Sequence, residues 1–199
     1  DTNLTDDVFV SDLRSGNVIR ISLRADGTER HWASGSPSIS GDGRFIVFRS
    51  YVTKLRTDTY GVYNIFLHDR ESMTNTLLST SFDGTPLKAD LGEPGISGDG
   101  KFVAFSSRAN NLVPDSNSFT MNLFLHHIKS GETTQIAREA VFSDINRDGR
   151  YTTFLSTQLP DPPKSGNRTR QVFIYDRHKQ ATYMASVNSK GAPGNGPST

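Results

Sequence analysis

The segment Pro94-Gly95-Ile96-Ser97-Gly98-Asp99-Gly100-Lys101-Phe102-Val103-Ala104-Phe105 decides how this chain is read. Asp-Gly is a turn pair: Asp bonds nearby backbone amides and Gly accepts positive φ without a Cβ clash. The run Phe102-Val103-Ala104-Phe105 is apolar at every position, as in a strand buried on both faces; a strand with one wet face would alternate. The same grammar recurs as Ser40-Gly41-Asp42-Gly43-Arg44-Phe45 and Asn146-Arg147-Asp148-Gly149-Arg150-Tyr151, at steps of 57 and 49 residues between the Asp positions.

A second motif keeps step with the first. Strands centred on Phe9, Phe66, Phe124 and Phe173 follow one another at 57, 58 and 49 residues, with the same shortening at the end. Two independent motifs with one period define a structural repeat. Each repeat holds a short strand a, the Asp-Gly turn, strand b, strand c with the central Phe, a tight turn such as Lys129-Ser130-Gly131-Glu132, and strand d. No segment of ten or more residues has a 3.6-residue apolar period, so little helix is expected. Four strands repeated at about this interval match a propeller blade better than a sandwich or closed barrel, which have no reason to repeat sequence.

The fold class expected is all-β: a β-propeller of about three and a half four-stranded antiparallel blades, forming a partial ring. Its segments are a half blade at 1–31 and blades at about 36–82, 93–138 and 141–188, all one unit over 1–199. Ser-x-Asp-Gly-Arg/Lys-Phe, then an Asn/Asp-x-Phe-x-x-Asp strand, resembles the WD40-like (PD40) repeat of TolB-like propellers. Related blades occur in the propellers of prolyl-oligopeptidase-type peptidases. The third repeat departs most: Asn146-Arg147 stands for Ser-Gly, Ser143 for the strand-a Pro, and His127 for the strand-end Asp. The resemblance implies a fold and is poor for function, because related propellers serve as docking platforms, gates and enzyme appendages alike.

Bulk properties exclude several classes. Lys and Arg number 22 against 21 Asp and Glu, with no basic run, which argues against nucleic-acid binding. No apolar run approaches the roughly 18 residues of a membrane span, so no membrane insertion is expected. The absence of cysteine removes disulfides and thiolate chemistry and fits an extracytoplasmic location. The Gly95-Ile96-Ser97-Gly98 run belongs to the repeat turn and is no nucleophile elbow.

The strand-end acids Asp12, Asp69 and Asp176 read as acceptors of the amides in the turn that follows. The b–c loop residues Asp1, Asn3, Asp58, Asp115 and Asn117 resemble fragments of a calcium loop. Full calcium-loop spacing is absent, and Asx turns are the favoured reading; no cofactor is otherwise expected. His68 and His126, at equivalent strand positions, read as structural.

In a four-strand meander the b–c and d–a connectors emerge on one side of the disc, and here they are long and differ between blades. Long, variable loops on a rigid scaffold are where binding usually lives. That face would present Trp32, Tyr51, Arg56, Tyr60, Phe119 and Arg168, several of them residue types favoured at binding hot spots. The reading that follows is a non-catalytic module engaging a protein or glycan partner. Its rival is the propeller portion of an enzyme, either a prolyl-oligopeptidase-type peptidase or a polysaccharide lyase or hydrolase. Strands c and d occur four times but a and b three times, so the chain is expected to belong to a longer propeller or to self-associate through its blade ends. Burial of all four central Phe rings is expected, with Val8, Val10, Ile19 and Ile21 exposed at one end and the surface around Phe173 and Tyr175 at the other.

Overall fold

The computed structural model describes residues 2–52, 62–82, 84, 87, 89, 91–114, 120–158, 169–189 and 191. Among them there are fourteen strands and no helix. β1 (Phe9–Ser11) and β2 (Val18–Arg20) form a half blade. The first full blade is β3 (Ser34–Ile39), β4 (Phe45–Val52), β5 (Val62–Asp69) and β6 (Thr74–Leu77), paired in chain order. The second is β7 (Gly95–Ile96), β8 (Phe102–Ser107), β9 (Asn122–His127) and β10 (Glu132–Ala137). The third is β11 (Ala140–Ile145), β12 (Tyr151–Ser156), β13 (Gln171–Asp176) and β14 (Ala181–Met184). All pairings are antiparallel. Three and a half blades form an open arc of a β-propeller.

Each full blade carries the same cross-strand aromatic pair between its second and third strands. Phe48 lies opposite Phe66, Phe105 opposite Phe124 and Phe154 opposite Phe173. Their rings stack at centroid separations of 5.8, 6.0 and 5.5 Å, an arrangement that adds to simple area burial. The rings of Phe66, Phe124 and Phe173 are buried in clusters that reach the preceding blade. Phe66 joins Val8, Val10 and Ile21; Phe124 joins Val47, Ile65 and Leu67; Phe173 joins Leu123.

That direction corrects three expectations. Phe9 is 51% exposed, not buried, because its ring points to the side where no described residue lies. Val8, Val10 and Ile21 are buried against the first full blade, and Ile19 packs beside them, so this is the covered face and not the open one. At the other end Phe173 is buried, and the open face of the third blade carries Val141 and Tyr183 instead. The physical reason is alternation: neighbours along a strand point to opposite faces, and only the stack decides which face is covered.

The Asp-Gly turns also join the blades. Gly43, Gly100 and Gly149 have φ of 73°, 68° and 65°, as the turn reading requires. The Gly41 amide donates to the Gly98 carbonyl of the next blade at 2.8 Å, and the Asp99 amide to the Arg147 carbonyl at 2.6 Å. Gly100 lies under the Phe45 ring of the preceding blade, and Gly149 under Phe102.

The strand-end acids are turn acceptors. The Asp12 carboxylate accepts from the Arg14 and Ser15 amides, Asp69 from Glu71, and Asp176 from His178 and Lys179. Asp69 and Asp176 are also gripped through two bonds each by Arg44 and Arg150. Those guanidinium bonds, helped by the turn amides, hold both carboxyls at about 2. Folded values below the unfolded value mean that this stabilisation is present above about pH 4 and is lost as pH falls towards about 2. Acid titration of the denaturation midpoint should show that loss, and the Asp69→Asn, Asp176→Asn double variant should show much less of it.

Candidate functional site

Connector contacts assign the two ends of each blade. At one end the a–b and c–d turns meet: Arg70 donates to the Gly43 carbonyl and Arg177 to the Gly149 carbonyl. At the other, the d–a and b–c connectors meet. The Tyr51 amide donates to Ala33, the Phe82 amide to Asn111 and the Ala140 amide to Met121.

Sequence reasoning missed a polar clasp that holds this second end. The Val8, Ile65 and Val172 amides, one residue before the central Phe of each motif, donate to Ser22, Ser79 and Ser186 at 2.9–3.1 Å. Each serine hydroxyl in turn donates to the side chain just before that amide, Asp7, Asn64 or Gln171. The signal was available: each serine lies 14 residues after the amide that it accepts from. In the second blade this position is Ala137, and the Asn122 side-chain Oδ1 accepts from the Thr120 hydroxyl and from the Glu139 amide instead.

On this long-loop face two of the sequence-derived residues come together. Trp32 and Tyr51 have ring centroids 5.8 Å apart at 58°, and Tyr51 meets Tyr63 edge-on at 5.3 Å and 73°. Trp32 is 47% exposed. The Arg49 guanidinium lies 4.8 Å over Tyr63 and 4.0 Å from Glu93, whose carboxylate accepts from Ser36 of the first blade. The ridge Trp32–Tyr51–Tyr63 therefore ends in a cation and anion that bridge two blades. Phe82 (65%) and Leu4 (94%) are also exposed on this connector side. Tyr63, Arg49 and Phe82 were not singled out from sequence, the first two because they lie inside strands β5 and β4 rather than in a loop.

Arg56, Tyr60, Phe119 and Arg168 lie outside the described residues, as do Asp1, Asp58, Asp115 and Asn117. Asn3, the remaining calcium-loop residue, accepts the Thr5 amide in an Asx turn and donates to Asp7 and the Arg30 carbonyl. Among the described residues no group of three or more His, Asp or Glu is placed to hold a metal ion. The described residues include no helix, and so none long and apolar enough to cross a membrane.

His68 shows why the strand histidines are structural. Asn75 donates to the Ile21 and Leu23 carbonyls, so its side-chain oxygen accepts from His68 Nδ1–H at 3.0 Å. The ring thus carries a proton on Nδ1 between half blade and first blade, with Nε2 buried and unpartnered. Burial lowers its pKa. His126 bonds Thr133 in the equivalent place and is lowered for the same reason.

These features define the class as an open arc of a β-propeller with an aromatic long-loop face. Solved structures of that class are similar. TolB from Acinetobacter baumannii is 17% identical with a TM-score of 0.58, over 94% of this chain and 38% of its own. An oligogalacturonate lyase solved with manganese is 13% identical with a TM-score of 0.59, over 94% of this chain and 51% of its own. The β-propeller domain of the Trilobed protease from Pyrococcus furiosus is 13% identical with a TM-score of 0.51, over 77% and 42%. The chain thus spans about half the length of these proteins or less. At such identities the likeness establishes the fold, which is shared by TolB and by enzyme propellers. No protein-family model matches the chain, and no curated protein does.

Proposed function

We propose that this chain is a non-catalytic binding module whose long-loop face engages a protein partner outside the cytoplasm. The observation that carries the reading is the ridge of Trp32, Tyr51 and Tyr63 with Arg49 at its end. Trp, Tyr and Arg are the side chains over-represented among interface anchors. The rings are inclined to one another by 58° and 73°, so they form a ridge suited to a grooved protein surface. A flat platform for stacking sugar rings would hold them near parallel. The absence of cysteine supports the extracytoplasmic location.

The test is quantitative capture from an extracytoplasmic protein extract by the wild-type chain, by Trp32→Ala, and by Met73→Ala on the opposite end. A partner seated on the ridge should bind Trp32→Ala about 30-fold more weakly, the effect of a hot-spot loss near 2 kcal/mol, and Met73→Ala normally. Equal capture by all three, or binding to a glycan array with no protein captured, contradicts the reading.

The two open sheet faces support a second interaction. Phe9 and Val18 on the half blade and Val141 and Tyr183 on the third blade are exposed, and open apolar sheet faces invite pairing. In isolation the 199-residue chain is expected to self-associate through them. Sedimentation velocity should show mass rising with concentration in the micromolar range, and a constant monomer mass would refute it.

A further inference from the structure

A groove of about 300 Å³ lies between the second and third blades, lined by residues of both. It opens where the repeat breaks. In the first and third blades the strand-end acid is tied to an arginine, Asp69 to Arg44 and Asp176 to Arg150. In the second blade these positions are His127 and Lys101. Lys101 pairs with Asp99 at 3.1 Å, while His127 bonds Ser130 and lies 4.8 Å from the Phe102 ring.

The residue after the strand-end position differs as well: it is Arg70 in the first blade, Ile128 in the second and Arg177 in the third. Ile128 packs with Phe45 against the core that joins the first and second blades. The position equivalent to Ile128 in the third blade is Arg177, whose guanidinium sits 4.2 Å over Phe102. The seam between the first and second blades is thus lined here by an aliphatic side chain, and that between the second and third by a guanidinium. The groove is lined by the apolar Phe102, Leu125 and Ile136, by the polar Thr134, Tyr175 and Gln180, and at its rim by the ionisable His127, Glu132 and Arg177. Among the described residues, the side chains of those three polar residues make no hydrogen bond that would occupy them.

We infer that this seam is a second binding site, distinct from the long-loop face, for a short peptide segment bearing a bulky apolar side chain. The side chain would rest on Leu125, Ile136 and Phe102, and the peptide's amide groups would meet Thr134, Tyr175 and Gln180. A groove of this volume lies at the small end of ligand pockets, which suits one anchoring side chain. An apolar floor with a few convergent polar groups is the usual composition of such a site. The site is independent of the aromatic ridge.

The probe is N-acetyl-L-phenylalaninamide, titrated to about 20 mM into methyl-labelled protein, with 3-phenylpropionate as the charged counterpart. Saturable shifts of the Leu125 and Ile136 methyls are expected, with a dissociation constant on the order of 1 mM for a ligand of this size. Thr134→Trp, at an exposed position on the lip, should weaken binding at least tenfold, with the Ile46 and Val47 methyl signals unchanged as proof of folding. Thr76→Trp, the equivalent position on the first blade, should bind as wild type. The inference is overturned by an absence of saturable shifts, by equal binding to Thr134→Trp, or by binding of the carboxylate alone.

Discussion

Phe124→Ala is expected to destabilise the chain by about 3–5 kcal/mol, the cost of emptying a large buried aromatic site. The ring is fully buried and stacks on Phe105. It belongs to the cluster containing Val47, Ile65 and Leu67 of the first blade and Val103 of the second, so the cavity would open at the joint between blades. Because small domains are stable by only about 5–15 kcal/mol, this is a large fraction of the whole. The equivalent Phe9→Ala should cost within about 1 kcal/mol, since that ring is half exposed and leaves little cavity. Denaturant midpoints at unchanged m-value decide it. Similar losses for the two variants would mean that the stacking direction is wrong.

Gly100→Ala is expected to cost about 2–5 kcal/mol, more than turn conformation alone would require. Two effects combine. At φ 68° an alanine suffers a Cβ–backbone penalty of about 1–2 kcal/mol. The added Cβ would also lie 2.9 Å from Phe45 Cδ2, and overpacking typically costs about 1–3 kcal/mol more. Gly43 separates the two effects. Its φ is 73°, yet a Cβ there would meet only Arg70 Nη1, at an ordinary 3.5 Å. Gly43→Ala should therefore show only the first penalty, and equal costs at the two glycines would remove the inter-blade contact from the account.

These contrasts mark the line between what the sequence disclosed and what it did not. The Asp-Gly turns, the doubly apolar second strands and the Phe-centred third strands were legible because each depends on neighbours within a few residues. The facing of Phe9 was not. Its local pattern matches Phe66, Phe124 and Phe173, but burial depends on a sheet stacked in front of it, and no described residue supplies one. The clasp of Ser22, Ser79 and Ser186 was written in a 14-residue spacing, but serine in strands carries little signal by itself.

The site was legible in part for a related reason. Trp32 and Tyr51 stood out as large aromatics near long connectors, and they do meet. Tyr63 and Arg49 did not stand out, because side chains at a strand end look like any other strand residue until β4 is seen running on to Val52. His127 was visible as a departure from the repeat, whereas the groove beside it depends on Arg177 of the next blade, 50 residues further along. Local sequence carries the blade; the seams between blades come from residues far apart in the chain.

The most direct test of the account is the pattern of methyl contacts across the stack, read by nuclear Overhauser effects in selectively labelled protein. The account predicts contacts from Val10 to the first blade's Ile46, from the first blade's Val47 and Leu67 to the second blade's Ile96 and Val103, and from the second blade's Leu123 to the third blade's Ala140, in keeping with the buried clusters. It predicts none between the first blade and the third. Methyl contacts joining those two blades directly, as a closed sandwich would give, would contradict it.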